Sequence, residues 1–131
     1  MKAINTPEGS IYPDPKQPIA ARVADLISRM TLPEKVSQML HGAPAIEWLG
    51  VPAYNWWNEC LHGVGRAGIA TVFPQAIGMA ATWNTDLLHR VAVAISDEAR
   101  AKHHAALGED GSSEQYYGLT FWTPNINIFR D

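Results

Sequence analysis

The segment 55–64 reads Asn-Trp-Trp-Asn-Glu-Cys-Leu-His-Gly-Val and carries the side chains best suited to chemistry in this chain. Two tryptophans lead into the carboxylate of Glu59, and a His-Gly pair follows it. Flat indole faces stack on the apolar faces of sugar rings, and a carboxylate accepts hydrogen bonds from neighbouring hydroxyls. These residue types in this order indicate a saccharide-binding site centred on Glu59.

Plainer interpretations of the same residues stay open at this point. Glu59 is also suited to being a solvated loop charge, or to capping the turn that follows it. Trp56 and Trp57 point to opposite faces of an extended segment, so at most one of them lines a pocket. Trp122, in a second aromatic segment, is open to the same two interpretations of pocket wall and core residue.

The remaining reactive side chains favour structural roles. Cys60 is the single cysteine, so no internal disulfide forms, and a small buried filler is the better interpretation than a nucleophile. His62, directly before a glycine, is predicted to be a structural hydrogen-bonding group. His103 and His104 are adjacent and diverge on a helix, so they cannot chelate one ion. We therefore expect neither a metal site nor a cofactor.

Composition sets the class of protein. The chain has 131 residues, 47% of them hydrophobic and 18% charged, which is typical of a globular protein with one core. A net charge of -3 without a basic run argues against nucleic-acid binding. No run approaches the roughly 20 apolar residues of a membrane span. No signal peptide is visible, which predicts a cytoplasmic protein, or a periplasmic or secreted one if a leader has been removed.

The first third of the chain is predicted to contain an arm and two helices. Four prolines lie in residues 1–18, which indicates an extended arm laid over a surface or left loose. Apolar residues then recur at helical spacing from Ile19 to Met30. Thr31 and Glu34 form the pattern of a capping box, with Pro33 in the first turn of a second helix.

The rest of the chain alternates predicted strands and helices. Short strands are predicted at 51–57 and 70–73, with Glu59 just beyond the end of the first strand. A helical turn is predicted at 75–81 and a long helix after a cap at Asn84 or Thr85, with Glu98 and Lys102 as a surface ion pair. A further strand is predicted at 119–129. This order favours an α/β fold, namely the N-terminal portion of a TIM-like (β/α)8 barrel, incomplete in this chain.

Four segments together resemble a known family. They are Met-Thr-Leu-Pro-Glu-Lys-Val at 30–36, the Trp-Trp-Asn-Glu segment at 55–64, Phe-Pro-Gln-Ala-Ile-Gly-Met-Ala-Ala-Thr-Trp-Asn at 73–84, and Thr-Pro-Asn-Ile-Asn-Ile-Phe-Arg-Asp at 123–131. In this order they resemble the N-terminal region of glycoside hydrolase family 3. The Trp-Trp-Asn-Glu form is similar to the branch that holds β-xylosidases and related β-glucosidases.

The resemblance implies a chemistry. The family removes terminal non-reducing β-linked sugars, here xylosyl or glucosyl residues, with retention of configuration. A nucleophilic carboxylate and a second carboxylic acid do this at a separation of about 5 Å. Glu59 matches the carboxylate that binds hydroxyls of the sugar in the cleaved subsite, and Trp122 matches an aromatic position lining that subsite. These are the implied substrate-binding residues, and no catalytic residue is matched in this chain.

The chain also departs from the family pattern. After Arg130 and Asp131 the family motif normally continues with Pro-Arg-Trp-Gly-Arg, and the nucleophilic Asp and acid/base Glu have no counterpart here. The resemblance therefore predicts an inactive fragment that lacks the rest of its barrel and a following α/β sandwich domain. Residues 1–18 would be the arm and 19–131 part of the barrel. The implied partner is a small oligosaccharide or β-glycoside, and the alternative is a non-catalytic sugar-binding module derived from the same barrel.

Overall fold

The structure is a computed structural model that describes residues 6–123, and these residues form two compact units. The first unit comprises residues 6–54 and 108–112, and the second comprises 55–107 and 113–123. The second unit contains Glu59 and Trp122. None of the helices between residues 6 and 123 has the length and apolar character needed to cross a membrane.

The first unit is built on two helices and a small sheet. Helix α1 spans Ile19–Arg29 and helix α2 spans Leu32–Ser37. Strands β1 (Gly42–Ala43) and β2 (Tyr54–Asn55) pair, and a short 3-10 helix covers Glu47–Leu49. Tyr12, Ile46 and Leu49 are buried and form the core of this unit.

The arm is fixed to α1 over its described part. The carboxylate of Asp25 accepts hydrogen bonds from the backbone N–H groups of Ile11 and Tyr12 at 2.8 and 3.0 Å. Arg22 Nε donates to the carbonyl of Tyr12 at 2.7 Å. These side chains of α1, together with the burial of Tyr12 in the core, fix where the segment lies.

The predicted capping box is confirmed. Thr31 Oγ1 accepts from the backbone N–H of Glu34 at 3.4 Å, and the Glu34 carboxylate accepts from the backbone N–H of Thr31 at 2.7 Å. Two N–H groups that have no partner within the helix are thereby satisfied. The Thr-Leu-Pro-Glu sequence therefore determines where α2 begins.

The second unit is organised around a long helix. Helix α3 spans Ala76–Ala80 and helix α4 spans Thr85–Ala106, which confirms both predicted helices. Asn84 is the N-cap of α4, and its Oδ1 accepts from the backbone N–H of Leu87 at 2.9 Å. Aromatic side chains pack around the buried core of the unit. The core contains four residues: Val64, Ala67, Ile95 and Ala99.

The described residues contain less strand than the sequence predicted. Of the predicted strand 51–57, only Tyr54–Asn55 is a strand, and residues 70–73 are a loop. Residues 119–123 carry no strand either, and 124–129 lie outside the described residues. The segments around Glu59 and Trp122 are joined by single backbone bonds and by the side chains of Asn58 and Thr123 instead of a ladder. The described residues therefore contain a two-stranded sheet and do not by themselves display a barrel.

Candidate functional site

The side chain that joins the two aromatic segments is Asn58, which is fully buried. Its amide nitrogen donates to the carbonyls of Asn55 and Thr120 at 3.1 and 3.0 Å, and its amide oxygen accepts from the backbone N–H of Gly118 at 2.8 Å. The backbone carbonyl of Asn58 accepts from Trp122 N–H at 3.1 Å. This buried amide replaces the rungs of a strand ladder, and sequence reasoning missed it.

Two of the three candidate tryptophans lie together. The rings of Trp57 and Trp122 stack with centroids 5.1 Å apart and planes 21° from parallel. Trp122 remains 57% exposed, whereas Trp57 is half-buried. The structure therefore selects Trp57, not Trp56, as the indole beside Trp122.

Glu59 is held by the same indole. Trp57 Nε1 donates to Glu59 Oε1 at 2.9 Å, and the guanidinium of Arg66 lies 3.5 Å from Oε2. The Glu59 side chain remains 41% exposed, so the carboxylate is oriented on two sides and open to solvent. The backbone carbonyl of Glu59, and not its carboxylate, closes the following turn by accepting from Gly65 N–H at 2.8 Å. The carboxylate is thus available for a ligand.

Arg66 and Tyr116 complete the cluster, and both were missed from the sequence. The Arg66 guanidinium carbon lies 5.7 Å from the centroid of the Tyr116 ring, within range of a cation–π contact. Both residues have positive φ values, 60° and 72°, which L side chains rarely adopt. Such backbone conformations cost about 1–3 kcal/mol each and gather at functional sites. A basic residue among the glycines at 63, 65 and 68 was the available sequence signal.

The turn after Glu59 is fixed by His62 and Gly63. His62 Nδ1 donates to the carbonyl of Phe73 at 2.8 Å, and His62 O accepts from Phe73 N–H at 2.7 Å. The predicted structural role of His62 is confirmed. Gly63 has φ of 134°, and a Cβ there would lie 2.3 Å from the carbonyl oxygen of Thr71. This position therefore requires glycine because two backbone segments pass too closely for any side chain.

Glu98 and Lys102 interact through their charges, but each makes its hydrogen bonds to the loop at 67–71 and not to the other, so the predicted pair is only partly confirmed. The Glu98 carboxylate accepts from the backbone N–H of Thr71 at 2.9 Å and from its hydroxyl. Lys102 Nζ donates to the carbonyls of Ala67 and Ile69 at 2.8 and 2.6 Å. Helical spacing placed both charges on one face of α4, but unpaired loop groups beside that face bind them more directly. The hydrogen bonds from Thr71 lower the pKa of Glu98.

Cys60 faces a different environment. It lines an apolar cavity of about 520 Å³ with side chains of α3 and α4, among them Met79 and Val91. Burial raises the pKa of the Cys60 thiol, which disfavours the reactive thiolate and supports its interpretation as a packing residue. Glu59 does not line this cavity. Among residues 6–123, no group of three His, Cys, Asp or Glu side chains is placed to bind a metal ion.

Comparison with known proteins identifies the family. The sequence profile of the "Glycosyl hydrolase family 3 N terminal domain" matches residues 22–105. The chain is 47% identical over 124 residues to "Probable beta-D-xylosidase 7" of Arabidopsis thaliana, covering 87% of this chain and 15% of that protein. It is 43% identical over 121 residues to "Xylan 1,4-beta-xylosidase" of Xylanibacter ruminicola, covering 92% of this chain and 14% of that protein.

A third relative is named for two activities. The chain is 42% identical over 126 residues to "Beta-xylosidase/alpha-L-arabinofuranosidase 2" of Medicago sativa subsp. varia, covering 88% of this chain and 15% of that protein. The chain thus spans about 15% of the length of the curated relatives that it matches. The N-terminal domain of the family is a TIM-barrel-type domain. The profile match and these identities show that the chain belongs to glycosyl hydrolase family 3.

Proposed function

We propose that the protein to which this chain belongs is a retaining β-glycosidase that hydrolyses terminal non-reducing β-D-xylosyl or β-D-glucosyl residues in carbohydrate and xylan catabolism. Family membership and the xylosidase names of the relatives support this proposal. The observation that carries it is the carboxylate of Glu59, oriented by Trp57 and 41% exposed beside the stacked indoles. We expect β-D-xylosides to be the better substrates, since the relatives are named for them.

The geometry suits a pyranose ring. An ionised carboxylate has about four lone-pair positions, and the Trp57 N–H occupies one of them. The remaining positions accept O–H groups from adjacent ring hydroxyls. The exposed Trp122 indole offers an apolar surface to the C–H face of the sugar. We propose Glu59 and Trp122 as substrate-binding residues on this basis.

The nucleophile and the acid that break the glycosidic bond are groups other than Glu59 in this proposal. Retention needs two carboxyl groups about 5 Å apart. Within residues 6–123, the partners of the Glu59 carboxylate are an indole and a guanidinium, and neither is a carboxylic acid. We propose that the nucleophile and the acid belong to the remainder of a TIM-like barrel and a following α/β sandwich. On this view residues 1–18 are an arm, residues 19–131 are the first part of the barrel, and the 131-residue chain alone does not turn over substrate.

Steady-state hydrolysis tests the proposal. The protein encoded by the complete reading frame is assayed with 4-nitrophenyl β-D-xyloside and β-D-glucoside, and NMR follows the configuration of the first product. We expect hydrolysis with retention. Glu59→Gln should lower kcat/KM by about 10- to 100-fold, because hydrogen bonds to a charged acceptor are lost. The exposed Glu47→Gln is the matched control and should leave kcat/KM unchanged.

Two results would contradict the proposal. Hydrolysis of neither glycoside by the complete protein would remove the glycosidase assignment. The other contradicting result is hydrolysis of one of them by the purified 131-residue chain at a rate comparable to that of the complete protein. The second result would show that the catalytic carboxylates lie within these residues.

A further inference from the structure

The loop after Glu59 is held by two charged side chains of α4. Lys102 Nζ donates to the carbonyls of Ala67 and Ile69, at 2.8 and 2.6 Å. One turn earlier on the helix, the Glu98 carboxylate accepts from both the N–H and the hydroxyl of Thr71. Residues 67, 69 and 71 of the loop are therefore tied to one face of α4 by a cation and an anion.

Packing alone would not fix this loop. Ile69 is 97% exposed and Val72 is 76% exposed, so the outer half of the loop buries little apolar surface. Gly65 and Gly68 add backbone freedom, and Gly68 has φ of 77°. Ala67 is the buried residue of the segment. Ala70 packs against the core, and hydrogen bonds from α4 hold the exposed residues on either side of it.

The same loop carries Arg66 to Glu59. Arg66 directly precedes the first residue bound by Lys102, and its backbone is held at φ of 60°. Its side chain is 66% exposed, and its Nε lies 3.5 Å from Glu59 Oε2. A strained backbone and a mostly solvated side chain would relax elsewhere without support from the neighbouring residues.

We propose that Glu98 and Lys102 are positioning residues for the saccharide site, holding the loop 65–73 so that Arg66 stays against Glu59. This inference rests on the proposed function of Glu59. Neither side chain touches the sugar. They act by raising the fraction of molecules in which the carboxylate and the guanidinium are arranged to bind, and apparent affinity scales with that fraction.

The first test is kinetic and uses the complete protein with 4-nitrophenyl β-D-xyloside. Lys102→Met keeps the aliphatic stem and removes the donors, and we expect KM to rise about threefold to tenfold with a smaller change in kcat. Lys102→Arg should recover part of this loss. Glu98→Gln keeps one acceptor for Thr71 and should lose less than Glu98→Ala. The exposed residues Arg90 and Asp97 on the same helix give matched controls, Arg90→Gln and Asp97→Asn, which should leave KM unchanged.

The second test separates positioning from general stability. If Lys102 acts through Arg66, then Lys102→Met should raise KM in the wild-type background and add less than about twofold in an Arg66→Gln background. A merely structural role would give the same loss in both backgrounds. Circular dichroism checks that each variant is folded. If Lys102→Met does not fold, the same comparison is made with Lys102→Arg and Glu98→Gln.

Failure of this inference and failure of the proposed function give different results. A wild-type protein that hydrolyses neither xyloside nor glucoside overturns the proposed function, and this inference with it. An active wild type whose Lys102 and Glu98 variants keep the wild-type KM overturns the inference alone. An equal loss in the wild-type and Arg66→Gln backgrounds also overturns it.

Discussion

At the scale of single residues, the site depends on how one carboxylate is oriented. Trp57 donates its indole N–H to one oxygen of Glu59, while Arg66 approaches the other. A hydrogen bond to an ionised acceptor restricts the rotation of the carboxylate and is stronger than one between neutral groups. In the proposed binding role of Glu59, this fixed orientation would lower the ordering cost of binding a sugar.

Trp57→Phe tests this orientation. The change keeps an aromatic ring to stack on Trp122 and removes the N–H that holds Glu59. We expect kcat/KM of the complete protein for 4-nitrophenyl β-D-xyloside to fall about 5- to 20-fold, because one charge-assisted hydrogen bond is lost. Trp83→Phe is the same substitution at an indole that is 93% exposed and should stay within about twofold of wild type. Equal losses in both variants would contradict the role of the Trp57 N–H.

Residue types pointed to Glu59 as the centre of the candidate site, which stays a prediction, but not to the side chains that contact it. Two indoles beside Glu59 are visible in the sequence, and their chemistry follows from the side chains themselves. Asn58, Arg66 and Tyr116 were missed because their contacts join segments up to 62 positions apart. Such contacts depend on tertiary structure, and a buried asparagine has no sequence pattern that separates it from one on the surface.

At the scale of elements, helices were predictable and strands were not. The capping residues Thr31 and Asn84 act through bonds three residues along the chain, so local sequence suffices to place them. Strands need partners from distant segments, and around Glu59 the joining bonds are shared between isolated backbone pairs and the side chains of Asn58 and Thr123. The loop contacts of Glu98 and Lys102 were missed for the same reason: helical spacing is local, whereas the loop that binds both is not.

The turn between Glu59 and the loop gives a prediction about stability. Gly63→Ala would place a Cβ 2.3 Å from the carbonyl oxygen of Thr71 at φ of 134°. We expect it to lower the free energy of unfolding of the 131-residue chain by about 3 kcal/mol, measured by urea denaturation.

Gly78→Ala on α3 is the matched control for this glycine. Its Cβ would meet Pro74 at an ordinary 3.7 Å, and alanine favours the helix by about 1 kcal/mol, so stability should rise. A Gly63→Ala variant as stable as wild type would contradict the close approach of the Thr71 carbonyl to Gly63.

The contact between α4 and the loop predicts a pH dependence. Hydrogen bonds from the Thr71 hydroxyl and N–H lower the pKa of Glu98 from its ordinary value of 4.5. Because the folded-state pKa lies below the unfolded one, this contribution to stability is complete above about pH 4.5 and is lost as the pH falls through the folded-state value. Urea denaturation should therefore show Glu98→Gln to be less stable than wild type at pH 7, with the difference shrinking towards pH 3. A difference that stays constant over this range would contradict the contact.

At the scale of the whole molecule, the chain spans about 15% of the length of its relatives. Several large apolar side chains of α1 are about half exposed or more, among them Ile19, Val23 and Ile27. The apolar cavity beside Cys60 is a similar feature in the second unit. We expect the remainder of the protein to contact such surfaces, and for this reason the kinetic experiments use the complete protein.

The central claim is that Glu59, oriented by Trp57 and flanked by Trp122, binds the hydroxyls of a pyranose. A crystal structure of the complete protein with xylose bound tests it most directly. We expect a Glu59 carboxylate oxygen about 2.7 Å from a ring hydroxyl, with an indole of the Trp57–Trp122 stack against the sugar. Xylose bound elsewhere, with Glu59 turned away from it, would contradict the claim.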